Sequence, residues 1–450
     1  DLAEQTATAM ASFARHLTAP RVGVALLVGG VDAGPQLKAL REGVEVVVGT
    51  PGRIIDFVEG GKLALDAVRF LVLDEADRLV ADAPEVIAGL YKRLPKGGTG
   101  LNRLQVLLFS ATLHSPEVRA LAGQICQDPL LVDLKGREHV PEAVDHAVVV
   151  VDPREDRSWL QGQPQVWTDG AHALDKTGPA VSTPECWSEA VKRLKPRLLQ
   201  RLIDRYKMEQ ALIFVRTNHD ADNLERFLAA LGGNAGAKFR GKAESGKEGA
   251  YSCVVLGGAR SMEERRAALA AFKEGDVRFL IATDVAARGL DIKELPYVIN
   301  MTLPDKSEDY IHRVGRVGRA DTMGLAISLV AALPEKVWYC TVKGYKPWLE
   351  PDAKNTRTQE QGGHTIWYDE PALLQAVEKR LGRDVARLGA DLSLPPGMAA
   401  KLEGGGEKYG QARGGGTSKE VAEHLAAIHQ NVQQLGSLEV AAQGSFLALK

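Results

Sequence analysis

A chain of 450 residues, 45% hydrophobic and 25% charged, has material for roughly two or three soluble domains with real cores. Its formal net charge of −2 excludes a globally basic surface, so any grip on nucleic acid has to come from local grooves. The four cysteines form no C-x-x-C pair and no stretch of about 18 apolar residues occurs, which argues against zinc, a disulfide framework and a membrane span, and for a reducing setting in nucleus and cytoplasm.

The first residues follow a helical pattern to Leu17 with no start of its own, so the chain reads as a fragment that begins inside a domain. A rhythm of short apolar strand, loop and helix then sets in. Residues 22–28 are strand-like and end in Gly29-Gly30; residues 44–48 end in Gly49-Thr50-Pro51-Gly52-Arg53, with a helix from Ile54. Phe70-Leu71-Val72-Leu73 runs into Asp74-Glu75-Ala76-Asp77, and residues 104–109 run into Ser110-Ala111-Thr112. Apolar runs of this length alternating with helices predict a doubly wound parallel sheet, the α/β class.

The pattern restarts at residues 147–151 and is interrupted by a polar, Trp- and Pro-bearing stretch at about 154–184, which reads as an insertion. A helix at 187–206 follows, then strands at 211–215, 253–256, 279–282, 297–300 and 325–330, giving a second α/β unit of similar size. Residues 232–249 are Gly- and Lys-rich and read as a solvated loop. Beyond Val342 the rhythm stops. A strand at 365–368, a helix at 371–381, a flexible linker at 404–416 and a helix at 420–435 are expected there. The domain reading is therefore 1–137, 138–342 with its insertion, and a C-terminal extension 343–450.

Four clusters carry chemistry. Carboxylates at the carboxyl end of a parallel strand sit where such sheets bind ligands, so Asp74 and Glu75 can serve Mg²⁺ through water and orient an attacking water; a solvated acidic loop is the plain alternative. Residues 312–319 read His-Arg-Val-Gly-Arg-Val-Gly-Arg, and arginines at 313, 316 and 319 can crowd one face and meet a triphosphate, or form a basic surface turn. In Thr-Asp-Val-Ala-Ala-Arg-Gly-Leu-Asp at 283–291, Thr283 and Arg288 can contact a nucleic-acid backbone and Asp291 a ribose hydroxyl; an ordinary turn with Asp284 as helix cap reads as well. Thr50-Pro51-Gly52-Arg53 offers a helix N-terminus and one arginine to a phosphate.

In this order the blocks GG, TPGR, DEAD, SAT, TDVAARGLD and HRVGRVGR resemble the DEAD-box family of ATP-dependent RNA helicases over roughly residues 1–335. The resemblance implies two RecA-like domains, the first incomplete here, that close on ATP, Mg²⁺ and single-stranded RNA and pry apart short duplexes. It implies that Asp74 and Glu75 serve Mg²⁺ and the attacking water, and that Arg316 and Arg319 meet the γ-phosphate and Asp291 the ribose. Asp77, Ser110, Thr112 and His312 would couple hydrolysis to closure. Gly30, Thr50, Gly52, Arg53, Arg265, Thr283 and Arg288 would line the RNA path. The insertion and the blocks at 276–281, 336–339 and 363–368 look like the SPRY-containing subfamily of DEAD-box helicase one, whose SPRY domain lies upstream of the segment matched here. Relatives are associated with RNA processing, including tRNA-ligase assemblies.

The chain departs from that pattern in two places. No G-x-x-x-x-G-K-[ST] occurs; residues 236–243 and 241–248 end Gly-Lys-Ala and Gly-Lys-Glu, without the hydroxyl that would hold Mg²⁺. Gly257-Gly258 stands where the family has His-Gly. A first sheet without its leading strand is expected to expose an edge and apolar surface, making the chain alone marginally soluble and a poor ATPase. A non-catalytic RNA-binding scaffold is the competing reading.

Overall fold

A computed structural model describes residues 2–17, 21–97, 103–110, 112–132, 144–232, 249–287, 292, 295–318, 323–342, 344–403 and 409. The chain divides into two compact units, Asp1–His139 in the first and Val140–Ala286 with Lys293–Lys450 in the second. No helix among the described residues is long and apolar enough to cross a membrane.

The first unit runs α1 (Leu2–Ala14), β1 (Val24–Leu27), α2 (Ala33–Glu42), β2 (Val46–Gly49), α3 (Pro51–Glu59), β3 (Phe70–Leu73), α4 (Ala76–Asp82), α5 (Pro84–Arg93), β4 (Gln105–Leu108) and α6 (Pro116–Ile125). Helix starts are set by local chemistry. Asp32 accepts from Gly34 N at α2 and Ser115 from Val118 N at α6, while Pro51, Pro84 and Pro116 stand where a missing N–H costs nothing. β1 pairs with β2 and β3 with β4, both parallel, and no ladder among the described residues joins the two pairs. Leu73, Ala76, Ile87, Leu121 and Ile125 form a small core.

Apolar surface is left bare, as the sequence led us to expect. Phe70 and Val72 share one face of β3 and are 61% and 47% exposed, and Phe109 after β4 is 54% exposed.

 The side chains of Met10, Phe13, Leu17, Val22, Val24 and Val46 line a further apolar hollow of about 300 Å³. Fully burying a side chain such as Phe70 or Val72 is worth about 1.5–3 kcal/mol, so several kcal/mol of burial goes unused in this unit.

The second unit runs β5 (Val144–Val151), α7 (Pro184–Tyr206), β6 (Ala211–Phe214), α8 (Asn218–Leu231), β7 (Cys253–Leu256), α9 (Met262–Lys273), β8 (Phe279–Ala282), α10 (Asp284–Ala287), β9 (Tyr297–Asn300), α11 (Ser307–Val314), β10 (Gly324–Ala331), β11 (Glu335–Trp338), β12 (Thr365–Tyr368), α12 (Glu370–Leu381), β13 (Ala386–Arg387) and α13 (Pro396–Glu403). Seven strands make one all-parallel sheet in the order β13-β5-β10-β9-β6-β8-β7, and β11 and β12 form an antiparallel pair. β6, β8 and β9 are buried along their whole length, which is why their sequences are continuous apolar runs rather than alternating ones. α7 begins three residues before the expected start because Thr183 caps Cys186 N and Pro184 takes the first helical position. The loop expected at 232–249 lies almost wholly outside the described residues. So do the helix expected at 420–435 and, Tyr409 apart, the linker expected at 404–416.

The stretch after β5 is irregular but tightly held. Arg197 of α7 donates to the carbonyls of Gln161, Gln163 and Pro164 at 2.7, 3.2 and 2.9 Å, and the Trp159 ring meets Trp187 edge-on. Its far end is clasped by charge. Lys192 bridges Asp169 at 2.5 Å and the Lys336 carbonyl at 2.6 Å, and Lys336 Nζ reaches Asp175 at 2.8 Å. His172 lies 2.7 Å from both Asp175 Oδ2 and Ser188 Oγ. With Asp175 only able to accept, Nδ1 carries the hydrogen, and in the neutral ring Nε2 accepts from Ser188.

Residues 344–403 pack into the same unit. β13 extends the sheet beside β5, and Glu370, fully buried, accepts from Lys195 Nζ at 2.7 Å and from the backbone N–H of Leu303 and Ala331 at 3.0 and 2.7 Å. Lys195 also meets Glu335 at 2.5 Å. Removing one member of such a buried set strands the others, so Lys195→Met is expected to destabilise the second unit by about 3–5 kcal/mol, measured by urea unfolding.

Burial, reinforced by the charge of Lys192, pushes His172 from its ordinary 6.5 down to about 4. The unfolded chain therefore takes up this proton at a higher pH than the folded one. The stability the neutral ring contributes is whole above pH 6.5 and is lost as acid is added toward pH 4. His172→Asn is expected to flatten the fall in stability across that window by about one proton. Equal slopes in denaturant melts of the two proteins would show that the ring is not held neutral.

Candidate functional site

The acidic centre of the first unit stands at the carboxyl end of β3. Asp74 Oδ1 accepts from Glu75 N at 2.9 Å, and Glu75 itself has φ 48° and ψ 49°, the left-handed region that a residue with a long side chain rarely adopts. Ala76 N is tied to the Phe109 carbonyl at 2.9 Å, so the turn is locked to the end of β4. Strain over-determined in this way is typical of functional turns. Just behind it, Thr112 Oγ1 donates to Asp77 Oδ2 at 2.7 Å, and Thr112 N donates to Ser110 Oγ at 3.0 Å. Asp77, Ser110 and Thr112, far apart in sequence, are thus one cluster, joined by chain to the acids.

The turns after β1 and β2 lie side by side because Leu27 is paired with Gly49. A Cβ on Gly49 would stand 2.3 Å from the Leu27 carbonyl oxygen, so only glycine fits there, and Gly30 has φ 77°. Thr50 precedes α3 without using its side chain as a cap, and Arg53 donates to the Val31 carbonyl at 3.1 Å while stacking over Phe57. Gly30, Thr50, Gly52 and Arg53 therefore share one edge. That edge offers free helical N–H groups and one guanidinium, which suits a phosphate.

In the second unit the carboxyl ends of β7, β6, β8 and β9 present Gly257-Gly258, Arg216-Thr217, Thr283-Asp284 and the turn after Asn300 along one edge of the sheet. Asn218 Oδ1 accepts from Gly258 N at 3.1 Å, and a Cβ on Gly257 would stand 2.8 Å from the same oxygen. Thr283 is buried at the head of α10, and Arg265 is half-buried on α9. His312 lies in the last turn of α11 and Arg316 just after it. Arg288, Asp291 and Arg319 lie outside the described residues.

Arg313 corrects one expectation. It does not crowd a face with Arg316, because it is 2% exposed and points into the sheet. Its guanidinium forks onto Asp284 at 2.6 and 2.7 Å and donates to Asn300 Oδ1 at 3.0 Å and the Thr302 carbonyl at 2.6 Å, which engages four of its five N–H donors. Asp284, readable as a helix cap, is its counter-ion. Sequence did carry a signal: Tyr310, Arg313 and Val314 fall at i, i+3 and i+4, the spacing of a helix's inward face.

Two carboxylates on a strained turn suit Mg²⁺ held through water. The β- and γ-phosphates of ATP find no Gly-rich lysine loop among these 450 residues. Among the described residues no cluster of three or more His, Cys, Asp or Glu could hold a metal directly.

Comparison with known proteins agrees with this layout. The DEAD/DEAH box helicase family matches residues 1–121, and the helicase conserved C-terminal domain matches residues 194–321. ATP-dependent RNA helicase DDX1 of Xenopus laevis is 45% identical over the whole chain and Ddx1 of Drosophila melanogaster 42% over 99% of it. The chain spans 58% and 59% of their lengths. Ddx1 of Drosophila virilis is 40% identical over 83% of this chain and 90% of its own. Two solved structures share the fold. The S. cerevisiae Dbp5 structure bound to RNA and ADP BeF3 has a TM-score of 0.55 at 22% identity, covering 86% of this chain and 74% of its own. The Mss116p structure bound to ssRNA and AMP-PNP has 0.53 at 23%, covering 74% and 57%. The acids after β3, the Ser110–Thr112–Asp77 cluster and the arginine-bearing α11 are thus the marks of two RecA-like units, and the chain belongs to the DEAD-box family of ATP-dependent RNA helicases, in its DDX1-like branch.

Proposed function

We propose that this chain supplies the water-activating, charge-neutralising and RNA-contacting residues of an RNA-stimulated ATPase that opens short duplexes during RNA processing. The observation that carries this reading is the strained Glu75 turn, backed by the Asp77–Thr112–Ser110 cluster. A carboxylate fixed in direction by its own backbone is suited to orient a water and take its proton. Asp74 beside it would hold Mg²⁺ through water, and the ion would neutralise phosphate charge on ATP, the source of the phosphoryl group. Arg316 and Arg319 neutralise the charge that develops. The cluster behind Glu75 passes any shift of Ser110 or Thr112 directly to the turn that bears the acids, and His312 is its counterpart on α11. Gly30, Thr50, Gly52, Arg53, Arg265, Thr283 and Arg288 line the RNA path and Asp291 holds the ribose. Contacts of this kind grip backbone and sugar, so little base preference is expected. Assembly with RNA-processing partners such as a tRNA-ligase complex, and residence in nucleus and cytoplasm, belong to the same proposal.

A second reading keeps the RNA contacts without the chemistry. On that reading the chain is an RNA-binding scaffold that does not hydrolyse ATP. The mass and amino-terminal peptides of the native protein decide between them. A species well above 48.5 kDa with upstream peptides supports the enzyme, and one of 48.5 kDa that starts near Asp1 supports the scaffold.

In the full-length protein, Glu75→Gln is expected to abolish RNA-stimulated turnover while ATP-dependent RNA binding persists. Wild-type hydrolysis by that variant would remove Glu75 from the chemistry. Arg316→Ala is expected to lower kcat by about 10³–10⁵, the scale of an arginine finger, and a change confined to KM would contradict the role.

A further inference from the structure

A line of buried polar side chains crosses the second unit beneath α11, from Asp284 on α10 to His146 on β5. From the Asp284 fork, Arg313 donates to Asn300 Oδ1, and Asn300 Nδ2 donates to Ser328 Oγ at 3.1 Å. Ser328 hydrogen-bonds the Tyr310 hydroxyl, and Tyr310 Oη lies 2.9 Å from His146 Nδ1. All five side chains after Asp284 are buried, and His146 Nε2 is buried with no hydrogen-bond partner among the described residues.

Donor accounting fixes the direction of the line as far as Ser328. Arginine has no lone pair to offer, so Asn300 Oδ1 must accept and its amide nitrogen must donate. Ser328 and Tyr310, each with one hydrogen to give and lone pairs to spare, carry the line on to His146 Nδ1, where it ends. Burial, with the charge of Arg383 against the protonated ring and that of Asp145 in its favour, holds the His146 pKa down to about 4, which agrees with a neutral ring. A buried network of this kind ties together the elements that carry it.

Those elements are the two that the function needs in register: Thr283-Asp284 heads the segment on the RNA side, and α11 leads to Arg316 on the phosphate side. We propose that Asn300, Ser328, Tyr310 and His146 are positioning residues, which seat α11 on β5, β9 and β10 so that the Thr283–Asp284 turn and Arg316 are placed together. The functional half of this statement rests on the reading given above; the structural half does not.

The test uses the full-length protein and two variants that cut the line at different points, Tyr310→Phe and Ser328→Ala. Amide hydrogen exchange at residues 284–286 and 311–316 is expected to rise together by about tenfold in each, the change for one lost buried hydrogen bond, with β6 and β8 unaffected. RNA-stimulated kcat is expected to fall by a similar factor with KM for ATP unchanged. Wild-type exchange at both segments in Ser328→Ala overturns the proposal. So does a rise spread evenly over the unit with unchanged kcat, which marks general loss of stability. If the wild-type protein shows no RNA-stimulated turnover, the helicase reading fails, while the exchange data still decide whether the line positions α11.

Discussion

A guanidinium shut beneath a helix must be satisfied on every side, and the second unit is arranged around that demand at Arg313. A carboxylate from α10, an amide from β9 and a carbonyl from the turn after β9 all converge on it. Each comes from the carboxyl end of a strand or the helix that follows, so the charge draws the ligand-facing edge of the sheet into one piece. Such a pair gives less net stability than an apolar plug of the same size would, because both ions lose water. What it supplies is direction, since a planar fork accepts its partners at fixed angles.

The two units solve the same folding problem to different degrees. In the second, a seven-stranded sheet is covered on both faces and its strands are buried along their length. In the first, the described strands form two separate pairs that carry helices, and phenylalanine and valine of β3 stand in the open. The loops that bear the acids and the glycines are nonetheless well formed there. Turn chemistry is local: a capping Asp32, a proline at the head of a helix and a close approach at Gly49 need no complete sheet around them.

Much of this was legible in the sequence. Apolar runs gave the strands, and clustered Gly, Pro and Asp residues gave the turns where Gly30, Thr50 and Asp74 now stand. The family resemblance gave Asp77 and Thr112 one coupling role, but their hydrogen bond could not be read from spacing, because 35 positions separate them and the pairing of β3 with β4 brings them together. Arg313 was misread for a physical reason. An arginine's partners decide whether it faces phosphate or core, and those partners, Asn300 and Asp284, lie 13 and 29 positions away. The charged clasp of Lys192, Lys195 and Lys336 was likewise hidden, since each lysine looks solvated until the acids facing it are known.

Glu370 reaches back across much of the second unit to neutralise Lys195 and to accept from the backbone N–H groups of Leu303 and Ala331. The matched C-terminal helicase domain ends at residue 321, 49 positions earlier. The span of that family match is thus shorter than the unit that this chain needs for electroneutrality. A boundary drawn where the recognisable blocks stop would cut through a closed circuit of charge, and the self-sufficient piece of this protein extends at least through α12.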